Sequence, residues 1–351
     1  MVASTFSLKN SFSSVPQKKT ADVIETLQSL CCNDLEALNG VILTHIERDV
    51  PLISTIAKHL ILAGGKRLRP LLAFSSYRLL TAEQKGNETP SKMVELAASI
   101  EFIHNATLLH DDVIDESPLR RNRPTANALW GNKPSILVGD FLFAKAFELM
   151  LGENEKRVLP ILATVAQIIT EGEVFQLSYL KTFALDFSIL MRIIETKTAA
   201  LFAASCEIGA ALLNTTTEIQ QALHHFGHHL GIAFQIIDDV LDYTGDTESL
   251  GKNIGDDVME GKVTLPLFFT YQKCSAEDQK MLEQMLESEK ITEDDFAHII
   301  ELMHKTDAIK ECYDLAWAYA EKAAMCLDMF KEGEIKNALS DLCYSLVMRQ
   351  N

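Results

Sequence analysis

Two acidic segments restrict what this chain can fold into: Asp111-Asp112-Val113-Ile114-Asp115 and Asp238-Asp239-Val240-Leu241-Asp242. Each follows a mostly apolar run, Ile103 to Leu109 in the first case and Phe234 to Ile237 in the second. On a helix, residues four apart lie on one face, so Asp111 stacks over Asp115, with Asp112 beside them. Three carboxylates this close repel one another unless something positive sits between them. A single such cluster reads as a solvated helix face. Two copies on apolar helices predict a fold that lines one cavity with carboxylate from two sides.

The remaining pattern is helical. Val23, Leu27 and Leu30 fall at helical spacing, as do Leu35, Leu38 and Ile42. No clear strand alternation bounded by hairpin turns is present. Turn signals are sparse: Gly64-Gly65, Lys85-Gly86-Asn87 before Pro90, Ser117-Pro118, Gly131-Asn132, Gly152, Thr215-Thr216 and Gly245-Asp246. Between them lie helical stretches of about 10 to 25 residues, and no solenoid repeat is seen. The expectation is an all-α multi-helix bundle around a central cavity, one domain over residues 21–351. Residues 1–20 contain no acid and are rich in Ser and Lys. That composition is shared with transit peptides, but the segment has no Arg and reads instead as a disordered extension.

Composition excludes several classes. Hydrophobic residues make up 47% of the 351, enough for a sizeable core. A net charge of −17 argues against a nucleic-acid partner. No uncharged apolar run reaches the roughly 18 residues of a spanning helix. The seven cysteines have no CxxC spacing and fit reduced thiols, which predicts a cytoplasmic protein.

If the substrate is anionic, local cations must reverse the field at the site. Ala63-Gly64-Gly65-Lys66-Arg67-Leu68-Arg69-Pro70 supplies three cations within four residues, behind two glycines that permit close backbone approach. It lacks Walker spacing. Alone it reads as a helix C-terminus with cations on the dipole; beside two acid clusters, it reads as an oxyanion-binding corner. Arg120 and Arg121 follow the first cluster, where the Pro118 break allows them to fold back, and guanidinium binds phosphate oxygens bidentately. The carboxylates suit Mg²⁺, a hard cation that takes oxygen at about 2.0–2.1 Å and bridges to phosphates. Lys197, Thr198 and Gln235 complete the polar set. Lys252 and Lys262 follow the second cluster, and either alone reads as a surface residue. His224-His225-Phe226-Gly227-His228-His229 holds two i, i+4 histidine pairs, a spacing that can bind zinc. No acid or cysteine joins them locally, so they read as packing and surface histidines. His110 reads as a packing residue, since Mg²⁺ prefers oxygen.

Together these motifs resemble the trans-isoprenyl diphosphate synthases over nearly the whole chain from about residue 25. The resemblance rests on GGKRLRP at 64–70, LLHDDVIDES at 108–117, RR at 120–121, GDFL at 139–142, KT at 197–198, FQIIDDVLDY at 234–243, GKNIGDD at 251–257 and EGKVTLP at 260–266. It is strongest to the bacterial long-chain branch, the octaprenyl diphosphate synthases. One departure is Asn122, where that family usually has Gly after the Arg pair.

The resemblance implies an isoprenoid synthase fold, usually a homodimer. The reaction it implies joins isopentenyl diphosphate to an allylic diphosphate such as farnesyl diphosphate with Mg²⁺. Lys66, Arg69, His104 and Arg121 would hold isopentenyl diphosphate. Asp111 and Asp115, with Asp238 opposite, would bind the metal, and Asp112 and Asp242 join that set. Arg120, Lys197, Thr198 and Gln235 would hold the allylic diphosphate, with Lys252 and Lys262 as further substrate-binding residues. In that family, bulky aromatics just before the first cluster close the pocket. Ala106 and Thr107 are small, which implies an open tunnel and a long product, octaprenyl diphosphate for a quinone side chain. Its floor is expected deeper, at Phe143, Phe147 or Met150, and release of such a product implies transient membrane contact. A shorter-chain synthase, a terpene cyclase and a non-catalytic partner subunit are the competing readings. The GGKR segment opposes the cyclase, and the intact aspartates oppose the partner subunit.

Overall fold

Helices form along the chain from Thr20 onward, as the apolar spacing predicts. The structure, a computed structural model, describes residues 18–82, 89–151, 155–245, 255–288 and 291–349. The first half contains α1 (Thr20–Leu30), α2 (Cys32–Ile46), α3 (Pro51–Ile61), α4 (Leu68–Thr81), α5 (Ser91–Ile114), α6 (Ala126–Trp130) and α7 (Asn132–Met150). Then come α8 (Glu155–Leu177), α9 (Phe187–Ile194), α10 (Ala200–Leu212) and the long α11 (Thr217–Thr244). Further helices include Ala308–Cys326 and Glu334–Val347. The turns at 85–87 and 152, Lys252, and residues 1–17 of the N-terminal extension lie outside the described residues.

The all-α expectation holds, with one small addition. A strand pair does exist, Leu119–Arg120 against Arg123–Pro124, antiparallel, with Arg120 opposite Arg123. Two residues per strand are too few to show an alternation. Its turn residues Arg121 and Asn122 both have positive φ, 52° and 59°, as a tight two-residue hairpin of the I′ kind requires. Asn is the non-glycine residue that tolerates this region best, so Asn122 preserves the hairpin that a glycine would form.

The core surrounds α11, which packs between α10 and the helix Ala308–Cys326, while α5 packs on α7, α4 and α2. Phe74, Phe102, Phe202 and Phe226 are fully buried there. Both acidic clusters end their helices: Asp111 and Asp112 lie in the last turn of α5, Asp115 is its C-cap, and Asp242 lies in the last turn of α11. The C-terminus is the negative end of a helix dipole, where a carboxylate is disfavoured by about 0.3–1 kcal/mol. Packing therefore gathers carboxylates at two negative helix ends, and only cations can offset that arrangement.

The contact between α10 and α11 depends on Gly227 and Gly231. A Cβ on Gly231 would lie 2.7 Å from the Ala199 Cα, and one on Gly227 2.8 Å from the Ala203 Cα. Both neighbours are backbone and cannot step aside. Gly231→Ala is expected to cost about 1–3 kcal/mol in stability through overpacking, and to lower turnover by pushing Thr198 away from Gln235. Denaturant unfolding and steady-state kinetics check both effects; wild-type values for either would refute the close-packing role.

Lys156–Leu177 in α8 is the one described helix long and apolar enough, by length and composition, to cross a membrane. A search for uncharged runs passes over it because Glu171 and Glu173 interrupt it. It packs against α10, α9 and α7.

Candidate active site

The first acidic cluster divides three ways. Asp112 is 1% exposed and accepts from Arg120 at 2.8 Å. Asp115 meets the Lys262 ammonium at 2.8 Å, and Lys262 also meets Glu260 at 2.6 Å. Among the described residues Asp111 has no such partner: burial, with Glu173 nearby, pushes its carboxyl up to about 7 despite Lys197 and Arg120. Metal binding needs the carboxylate, so it must displace the proton that Asp111 carries at low pH. With Asp111 as a ligand, Mg²⁺ affinity is expected to fall about tenfold from pH 8 to pH 6, the larger part of it below pH 7, and to level off above pH 8. Calorimetric titration at several pH values checks this, and equal affinities at pH 6 and 8 would contradict it.

Opposite stands a polar chain from α10 to α11. Lys197 and Thr198 lie in a π-turn, Glu195–Ala199, between α9 and α10. One extra residue in the turn interrupts the α ladder, a feature often found at functional sites. Lys197 meets Glu173 at 2.7 Å and also donates to Gln176. The Thr198 hydroxyl donates to the Gln235 carbonyl oxygen at 2.6 Å, and the Gln235 amide donates to Asp239 at 2.8 Å. Burial and the neighbouring Asp257 push the Asp239 carboxyl well above the usual range. Gln176, Lys197, Thr198, Gln235, Asp239, Asp257 and Lys262 share one cleft, walled by Leu190, Ile193, Ile194, Val263 and Leu265. Lys262 joins the two clusters, lining this cleft while it holds Asp115.

The rest of the second cluster is placed differently. Asp238 meets Arg349 at 3.1 Å, and that guanidinium lies 4.2 Å from the centre of the Phe234 ring. Asp242 is fully buried and accepts from the Asp257 backbone N–H at 3.1 Å. Neither Asp112 nor Asp242 faces solvent; one fixes Arg120 and the other fixes the start of the short helix Asp256–Met259.

The basic corner forms between α3 and α4. Gly64 and Gly65 have φ of 95° and 141°, and Arg67 follows at 48° before α4 begins. Arg67 turns back to Glu101 at 2.9 Å and to the Ile61 carbonyl at 3.2 Å, and so takes the helix-end role that the sequence also allows. Lys66 and Arg69 remain for the site. Arg69 lies 3.2 Å from His104 Nε2 and 4.8 Å from the centre of the Phe202 ring. Burial lowers Arg69 to about 10 despite Glu101 and Asp238, while burial beside Arg69 and Arg121 holds His104 well below its ordinary range, neutral and able to accept. The Arg69 Nε is sealed from solvent without a partner, a donor that an anion would satisfy. Arg121 donates to the Gly64 carbonyl, and its guanidinium fills the space where a Gly65 Cβ would stand. The corner adjoins an uncapped α4 N-terminus, a favourable place for phosphate.

The donor set fits a hard divalent cation. Asp111, Asp115, Asp238 and Asp239 offer oxygen only, and the strain on Asp111 together with the ammonium on Asp115 shows where positive charge is missing. Glu173, Gln176, Glu260 and Arg349 belong to this region and were not singled out from the sequence, and Asp239 and Asp257 were read there only as members of their motifs. Glu173 and Gln176 carry the same mark as the aspartates, polar groups in an apolar helix. Arg349 carries no local mark.

The polyprenyl synthetase family model matches residues 50–303. The chain belongs to that family. It is 37% identical to octaprenyl diphosphate synthase of Escherichia coli K12 over 332 residues, 93% of this chain and 99% of that one. It is 40% identical to an all-trans-nonaprenyl-diphosphate synthase of Rhodobacter capsulatus, over 88% of this chain and 93% of that one. A polyprenyl synthase from Caulobacter crescentus CB15, solved in complex with calcium and isoprenyl diphosphate, superposes with a TM-score of 0.89 at 42% identity. That match covers 93% of this chain and 98% of the other. The fold is thus the isoprenoid synthase fold of polyprenyl synthases.

Proposed function

We propose that this chain is a long-chain trans-polyprenyl diphosphate synthase that condenses isopentenyl diphosphate onto an allylic diphosphate such as farnesyl diphosphate, with octaprenyl diphosphate as product. The observation that carries this is a pair of carboxylate helix ends, bridged by Lys262 at the cleft, together with two separate cationic corners. One corner, Lys66, Arg69, His104 and Arg121, suits one diphosphate. The other, Arg120, Lys197, Thr198 and Gln235 with Lys262, suits a second. The octaprenyl and nonaprenyl relatives support the long product.

Asp111, Asp115 and Asp238 would hold Mg²⁺, with Asp239 beside them. When bound, the metal supplies positive charge for the departing diphosphate. Lys197 and Arg120 stabilise the same developing charge, with Thr198 and Gln235 fixing the leaving group. Leu190, Ile193, Ile194, Val263 and Leu265 exclude water from the allylic cation. Arg69 and Arg121 hold isopentenyl diphosphate so that its double bond attacks at close range. The released diphosphate accepts the proton that restores a neutral chain.

Purified protein with Mg²⁺, farnesyl diphosphate and labelled isopentenyl diphosphate tests the reading. Incorporation into an eight-unit product supports it; no incorporation refutes the synthase, and a four-unit product refutes the long chain. We also propose a homodimer, supported by exposed Leu129, Ile136 and Leu137 around α6 and α7, and cytoplasmic location, which the seven free thiols fit.

A further inference from the structure

The four histidines of α11 lie away from the chemistry just described. His228 stands ten residues before Asp238, about 15 Å along the helix. Among the described residues, no group of three or more His, Cys, Asp or Glu side chains forms a ready metal cage. Spacing alone therefore leaves these residues as surface histidines. The fold adds a group that the local sequence lacks. Glu207 of α10, only 13% exposed at its side chain, accepts from His224 Nδ1 at 2.8 Å and from the Gln220 amide at 2.6 Å. A carboxylate fixed in this way keeps the proton on Nδ1 and leaves Nε2 as the free donor, the outer-shell arrangement that orients ligating histidines.

One turn on, the His228 ring lies stacked with that of His224, interplanar angle 10° and centroids 6.3 Å apart. Two imidazoles on one tetrahedral ion, at about 2.0–2.1 Å each, place their centroids about 5 Å apart. Closing the gap of about 1 Å, and turning the two near-parallel rings so that both Nε2 atoms face one point, takes side-chain torsions of two half-buried helical residues.

The geometry points to His224 and His228 as a second metal site, for a borderline transition ion such as Zn²⁺, with Glu207 as its orienting carboxylate and water completing the coordination. The donor chemistry separates it from the active site: imidazole selects Zn²⁺, Ni²⁺ or Cu²⁺, whereas the carboxylate clusters select Mg²⁺. Because Glu207 belongs to α10, occupancy ties α10 to α11 at the end remote from Thr198 and Gln235.

The test uses the untagged full chain in excess Mg²⁺, titrated with ZnCl₂. One Zn²⁺ per chain and a raised thermal midpoint are expected. Both should be lost in His224→Gln/His228→Gln, with Mg²⁺-dependent prenyl transfer within twofold of wild type. Glu207→Gln should keep the stoichiometry and weaken the affinity 10- to 100-fold. If the double variant fails to fold, the Cu²⁺ electron paramagnetic resonance spectrum of His225→Gln decides, with coupling to two imidazole nitrogens expected as in wild type. Absence of Zn²⁺ binding, unchanged stoichiometry in the double variant, unaltered affinity in Glu207→Gln, or a Cu²⁺ spectrum without that coupling would each overturn the assignment.

Discussion

Asp111→Asn is expected to lower kcat about a thousandfold while raising the thermal midpoint. The activity loss follows from removing a carboxylate proposed to hold the metal: several kcal/mol of charge stabilisation are at stake, and each 1.36 kcal/mol is tenfold in rate. The stability gain follows from the strain on this residue. A carboxyl whose folded-state pKa lies above its unfolded one costs stability at neutral pH, and the cost vanishes below the unfolded pKa. Asp111 is raised to about 7 by burial and Glu173, so the neutral amide removes that cost. Kinetics at saturating Mg²⁺ and thermal melts at pH 7.5 and pH 4 measure both. A stable variant with normal kcat would remove Asp111 from the metal site. A midpoint gain equally large at pH 4 would mean that the strain is not ionic. Opposite signs for activity and stability are typical of a site kept strained for function.

Thr107→Phe is expected to truncate the product from eight units to about four. Thr107 lies one helical turn before Asp111, on the same face, and is partly exposed; its hydroxyl donates to the His104 carbonyl at 2.8 Å. With that hydroxyl satisfied, the residue presents a small apolar surface below the reacting centre, which a phenyl ring would close. Ala106→Tyr, at the neighbouring small residue, is the poorer probe. Ala106 is completely buried in the core, so a tyrosine there would overpack by about 1–3 kcal/mol and confuse chain length with stability. Chromatography of the products decides; a wild-type length distribution from a folded Thr107→Phe enzyme would place the length limit elsewhere. Among the proposed floor residues, Met150 is buried, while Phe147 is 36% exposed.

The helices, the acidic clusters and the basic corner were legible because each is written in local spacing. What was hidden depends on partners distant in sequence. The pairing of Asp238 with Arg349 spans 111 residues, and nothing near Arg349 announces it. Asp239 looked interchangeable with its neighbours, yet it is the aspartate of its cluster that lines the cleft, because the rotation of α11 against α10 decides which face is inward. The role of Arg67 separated from those of Lys66 and Arg69 only once α3 was seen to end where Arg67 could reach the Ile61 carbonyl. The hairpin at 119–124 was missed because four paired residues show no period.

The π-turn at Glu195–Ala199 has a consequence for how this chain can tolerate length changes. An inserted residue rotates everything beyond it by about 100° in a regular helix. Here the wide turn absorbs such a residue, so the burial pattern of α9, through Leu190, Met191 and Ile194, and that of α10 are held out of phase by design. Deleting one residue inside the turn would restore an unbroken α ladder and improve local hydrogen bonding. It would also swing Lys197 and Thr198 off the cleft. The register of the cleft thus rests on a helix that is one residue longer than regular geometry would permit.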